Sequence, residues 1–135
     1  MKKPAPQVGP NYRAKRPLVW MGSSRKDIRA MPDPVQDNFG RALYVAQLGQ
    51  RPREAKPFHC GETGVLEIVE DYSADTYRAV YTVRFDLAVY VLHILKKKSK
   101  HGIETPQQDV RLIRERFREA VEHYREHYAG EEGKR

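Results

Sequence analysis

Cys60 is the only cysteine in this chain of 135 residues, so no internal disulfide can form. That fits a reducing compartment. Long apolar runs are missing too. The longest, Leu87 to Leu95, falls far short of the roughly 20 residues a membrane helix needs, so no membrane partner is expected. The first lysines are followed by no apolar segment, which predicts no secretory leader and a cytoplasmic location. The chain has no glycine-rich phosphate loop, no GxGxxG turn and no internal repeat, and nothing in it calls for a small-molecule cofactor. His123 and His127 stand four apart, but Tyr124 occupies the position where a HExxH zinc site needs glutamate. No third ligand or cysteine cluster accompanies them, so no metal is expected.

What is present fits one domain with a single modest core: 39% hydrophobic and 32% charged residues. The net charge of +7 is unevenly placed. Residues 1–16 carry +5 and residues 96–100 carry +4, while everything else sums to −2. The body is therefore not uniformly basic; it bears one concentrated cationic spot and a cationic tail. The proline-rich residues 1–16 are expected to be disordered, residues 17–128 to form the single domain, and residues 129–135 to be a polar tail.

Within the domain, residues 17–21 read as a short strand closed by Gly22. Ser24 with Asp27 forms a capping box for a brief helix over about 24–31. Asp33 as N-cap and Pro34 at the first helical position open a second helix, which buries Val35, Phe39, Leu43 and Ala46 and stops at Gly49. A loop over 50–64 precedes strands at about 65–70, 76–86 and 88–95, which the short turns between them predict to be a meander in chain order. In the second strand Tyr77, Ala79, Tyr81, Val83 and Phe85 alternate with Arg78, Val80, Thr82 and Arg84. The third is apolar on both faces, as a central strand should be. Thr105, Pro106 and Gln108 open a last helix that buries Val110, Ile113, Phe117, Val121, Tyr124 and Tyr128. Beside that stripe Arg111, Arg114, Arg118 and Arg125 line one sector, where Arg111–Glu115 and Arg118–Glu122 are ordinary pairs on a wetted helix.

Lys96, Lys97, Lys98 and Lys100, with His101, form the sharpest cluster, and the run holds no acid. Lysines bind phosphate as compact point charges, giving affinity that depends on salt but carries little sequence information. Arg78, in mid-strand, either pairs with Glu67 or Glu70 on the neighbouring strand or aims a guanidinium at a phosphate. A cross-strand pair of the first kind contributes roughly 0.2–1 kcal/mol. His59 and His93 have the side chain best suited to proton transfer near neutral pH, but His93 sits inside an apolar strand and reads as structural.

TYRAVYTVRF, then AVYVLHILKKKSK, then TP opening a helix, resembles the RelE/ParE toxin superfamily, and within it the phage-related HigB-type members. The resemblance runs from Pro17 to about Arg118. It implies an α+β, RelE-like fold: a small twisted, mainly antiparallel sheet with two N-terminal helices and a C-terminal helix. It implies the toxin of a type II toxin–antitoxin pair, with a HigA-like helix-turn-helix antitoxin as partner. The implied activity is ribosome-dependent, metal-independent cleavage of mRNA, in which a ribose 2′-OH attacks the adjacent phosphate. On that reading Arg78 and Lys97 stabilise the transition state, Glu67 or His59 is the base, and His59 or a lysine is the acid. Lys56, Arg84, Lys96, Lys98, Lys100 and His101 then hold the RNA. Where related toxins show a pattern like KPLKG, this chain has Lys56-Pro57-Phe58-His59-Cys60-Gly61, so a histidine stands near the place of a lysine. Two other classes stay open: a ParE-like inhibitor of DNA gyrase, and an inert binding module on a toxin fold.

Overall fold

Alternating apolar residues in the middle of the chain give a sheet that can bury both of its faces. A computed structural model describes residues 15–98 and 105–132. Its elements are β1 (Leu18–Trp20), α1 (Ser24–Arg29), α2 (Asp33–Gln47), β2 (Lys56–Pro57), β3 (Val65–Tyr72), β4 (Asp75–Thr82), β5 (Val89–Lys98) and α3 (Gln107–Glu132). The sheet order is β1-β5-β4-β3-β2. Strands β2 to β5 pair antiparallel, and only β1 lies parallel to its neighbour β5. This is the α+β arrangement expected, with β3, β4 and β5 as a meander and β5 inside the sheet.

The two faces are covered from opposite ends of the chain. Val35, Phe39, Leu43 and Ala46 of α2 pack with Ile28 of α1 onto Leu66, Ile68, Tyr77, Ala79, Tyr81, Val89 and Val91. Ile113, Phe117, Ala120 and Tyr124 of α3 cover Val80, Tyr90, Leu92 and Leu95 on the other face. Each fully buried large side chain contributes roughly 1.5–3 kcal/mol of transfer free energy, and Phe39, Leu43, Tyr81 and Tyr90 are all completely buried.

Several local expectations shift. Ser24 does not cap α1; Ser23 takes that position, its Oγ donating to Asp27 Oδ2 at 2.7 Å, while Ser24 is buried and donates to Val91 O at 3.3 Å. Asp33 is the first residue of α2, and Pro32 precedes it as the cap. The loop over 50–64 contains β2, whose Lys56 lies opposite Glu67. Strand β4 ends at Thr82 rather than near Asp86. The Thr82 hydroxyl donates to Gly64 O at 2.7 Å and accepts from the Arg84 amide at 3.1 Å, which turns the chain out of the ladder. At the other end β5 runs on to Lys98 because Asp75, Thr76 and Tyr77 supply partners for the lysines. Helix α3 continues to Glu132, into the stretch expected as a polar tail. Of the expected basic tail, residues 1–14 lie outside the described residues, and Arg16 is tied to α2 through its amide and Gln47 O at 2.9 Å.

The β3–β4 hairpin turns on Ser73 and Ala74, whose φ angles are +51° and +71°. Such two-residue turns favour Asn-Gly because a Cβ is costly in the left-handed region. Ala74→Gly is therefore expected to stabilise the protein by about 1 kcal/mol, read as a higher urea midpoint with an unchanged slope.

Candidate functional site

Strand β4 carries Arg78 on the face that α3 partly covers, and β3 brings Glu67 to it. Arg78 Nη1 donates to Glu67 Oε1 at 2.8 Å, with side chains 16% and 12% exposed. The pairing partner that cross-strand geometry offered is thus the one adopted. Lys56 of β2 lies opposite Glu67 and so shares its face, and its side chain is exposed. Lys97 lies opposite Thr76, two residues from Arg78 along β4, which makes it a diagonal neighbour on the same face. Three cations and one carboxylate thus lie along one diagonal of this face, with only Arg78 and Glu67 in contact.

Lys96 and Lys97 part to opposite faces of the sheet. Successive side chains of a strand point to opposite faces. Lys96 accordingly lies on the α1 side, over the Tyr77 ring at 6.0 Å and 3.3 Å from Asp75 Oδ2. There it rims a cleft of about 570 Å3 bounded by Asp27, Met31, Tyr77 and Ile94. Lys98 opposes Asp75 in the backbone register. Lys100 and His101 lie outside the described residues. Arg84 is also set apart: beyond the end of β4, it stacks over Phe117 at 5.5 Å and meets Glu62 at 3.4 Å. His59 is exposed in the loop after β2, and no described residue hydrogen-bonds its ring.

His93 is structural, and α3 shows how. A bulge in β5 leaves Val80 opposite His93 and Tyr81 opposite Val91, with Leu92 as the extra residue. Leu92 and His93 therefore both turn toward α3. Arg116 Nη1 donates to Leu92 O at 2.9 Å and contacts His93 Nδ1 at 3.0 Å. A guanidinium can only donate, so Nδ1 is the acceptor and the single ring proton sits on Nε2, 2.8 Å from Asp109 Oδ1. Arg116 was not among the arginines the sequence singled out. Its signal was its position three residues after Ile113 and four before Ala120, inside the buried stripe.

Farther along α3, Tyr90 Oη lies 2.6 Å from His123 Nδ1, within a ring cluster that includes Phe85, Tyr124 and Tyr128. Burial, and then the charge of His127, hold His123 below the usual histidine range. The folded state thus binds fewer protons there than the unfolded chain, so stability falls as pH drops through about 6.5 and is fully present above it. Urea midpoints measured from pH 5 to pH 8 are expected to show a shallower acid-side decline in His123→Gln.

Among the described residues no group of three or more histidine, cysteine or carboxylate side chains is placed to hold a metal ion. None of their helices is long and apolar enough to cross a membrane. Cys60 is buried, which pushes its thiol up and away from reactivity.

Residues 26–118, more than two-thirds of the chain, match the family described as "Phage derived protein Gp49-like (DUF891)". No curated protein and no solved structure matches the chain. The matched span includes Lys56, Glu67, Arg78, Lys97 and the Arg116 network. On that ground the chain belongs to the Gp49-like family of phage-derived proteins, a family of the RelE/HigB toxin type.

Proposed function

We propose that this protein is the toxin of a type II toxin–antitoxin pair and acts as a ribosome-dependent mRNA endoribonuclease. A HigA-like antitoxin is its partner, and ribosome-bound mRNA its substrate. The observation that carries the reading is the Arg78–Glu67 pair, set between Lys56 and Lys97 on one sheet face. Cleavage by an internal 2′-OH needs a base, an acid and fixed positive charge where the phosphorane dianion develops. Fixed charge is commonly the largest contribution in such sites.

Arg78 and Lys97 supply that charge. The planar guanidinium presents its N–H donors as a fork that suits phosphate as well as carboxylate. Glu67, already held at Arg78, is the base that takes the 2′-OH proton; a protonated His59 or a lysine returns one to the leaving 5′-oxygen. The 2′-oxygen bonds to phosphorus as the P–O5′ bond breaks, giving a 2′,3′-cyclic phosphate and a 5′-OH. The ribosome orients the strand, which lessens the demand on strong proton-transfer groups. Lys56 grips the RNA backbone from the same face. Lys96, on the alternate face, acts on RNA only where it wraps the end of β5, the strand that Lys98 closes.

The test is purified protein added to a cell-free translation reaction, with messenger ends mapped by primer extension. New ends that need ribosomes, and that are at least tenfold weaker with Lys97→Ala, are the expected result. Intact messenger alongside inhibited DNA supercoiling would replace this reading with a gyrase poison, and intact messenger with normal supercoiling would leave a binding module.

A further inference from the structure

On the opposite sheet face from the Arg78 pair, a cleft of about 340 Å3 opens beside the C-terminal end of α2. That size is at the lower end of small-molecule sites, which span roughly 300–1,000 Å3. Its floor is apolar, from Ala46, Leu66 and Val83, and its rim carries Arg16 and Arg51. Neither arginine forms an ion pair among the described residues; Arg51 makes only a 3.2 Å bond to Ala55 O. Arg16 is anchored through its backbone, its amide donating to Gln47 O at 2.9 Å and its carbonyl accepting from Gln47 Nε2 at 2.7 Å. Its guanidinium lies over Gly49, 3.5 Å from where a Cβ would sit, and its buried Nε has no acceptor.

A second buried donor without an acceptor stands on the strand beside Leu66. Tyr81 lies opposite Leu66 in the ladder and two residues before Val83, is fully buried, and its hydroxyl is unsatisfied. Burial keeps that phenol protonated, while the charges of Arg51 and Glu54 act on it in opposite senses. Glu54, whose charge reaches Tyr81, is committed to Arg41 at 2.6 Å. The C-terminal carbonyls of α2 attract Arg16 with about half a charge, too little to neutralise two guanidiniums. Donors and positive charge therefore outnumber acceptors around an open cleft with an apolar floor.

We propose that this cleft binds a small phosphomonoester, its phosphate held between Arg16 and Arg51 and its body resting on Ala46, Leu66 and Val83. The site stands apart from the RNA-cleaving face and does not depend on it. A nucleoside monophosphate and free phosphate share the required chemistry.

The test is a 1H–15N NMR titration of the whole protein at constant ionic strength with 5′-AMP, inorganic phosphate and adenosine. Saturable shifts at Gly49, Gln50 and Arg51 with 5′-AMP and with phosphate, and none with adenosine, are expected. Tighter binding of 5′-AMP assigns the site to a nucleotide; equal affinity assigns it to phosphate itself. Arg51→Ala, at an exposed position, is expected to weaken binding at least tenfold while leaving the urea midpoint near the parent's, and Arg16→Gln similarly. No saturable shift, an adenosine response equal to that of 5′-AMP, or undiminished binding by Arg51→Ala would overturn the proposal.

Discussion

Arg116→Met is expected to lower the stability of this protein by about 2–4 kcal/mol. The guanidinium is the donor for two buried acceptors, Leu92 O at 2.9 Å and His93 Nδ1 at 3.0 Å, and a buried acceptor left without its donor costs about 1–3 kcal/mol. Releasing a charge from a buried site returns part of that loss. A typical domain has only about 5–15 kcal/mol in total, so the change is a large share. The same guanidinium sets the identity of Gly22. A Cβ there would lie 2.5 Å from Arg116 Nη2, and φ is +54°. Gly22→Ala is thus destabilising by itself, and less so when Arg116 is already methionine. Urea denaturation of the two single variants and the double variant reads both effects in one cycle. A fully additive cycle, or an Arg116→Met protein as stable as the parent, would show that the contact does not hold α3 to the sheet.

The second large effect is on cleavage. Arg78→Ala is expected to reduce the rate of messenger cleavage at least tenfold, and also to destabilise the fold by about 2 kcal/mol, because Glu67 stays buried without its cation. The two losses can be separated. In Arg78→Ala/Glu67→Ala the orphaned carboxylate is gone, so most of the stability should return, while cleavage stays lost because the base has gone with the cation. Arg78→Lys adds a second discriminator, since it keeps the charge but loses the planar fork. A double variant that is stable and still cleaves at the parental rate would remove Arg78 from the chemistry and leave it a purely structural residue.

The meander and the two buried helix stripes were legible because they rest on period: alternation at Tyr77, Ala79 and Tyr81, and spacing of three or four at Val35, Phe39, Leu43 and Ala46. The Arg78–Glu67 contact was legible for the same reason, since opposite charges on adjacent strands have few other neighbours. Adjacency in the lysine run does not say which face each side chain takes. The pleat that ordered the apolar residues also divides Lys97 from Lys96. The Arg116 network was hidden because its acceptors depend on a bulge at Leu92, and nothing in a run of apolar residues marks which one is extra. Strand β2 was hidden by its length, two residues of which one is proline.

The parallel pairing of β1 with β5 also sets an order of assembly. Trp20 meets Val91, and α2 packs on strands that begin at Val65, so the first third of the chain has no sheet to join until the ribosome has made the rest. The hairpins β3–β4 and β4–β5 close over short separations and can form early, whereas the β1 edge must wait for a long loop to close. During synthesis the apolar stripe of α2 is therefore exposed and open to chaperones or proteases until the β3–β4 hairpin has emerged. The interval between making α2 and burying it is a point at which the cell can decide how much of this protein matures.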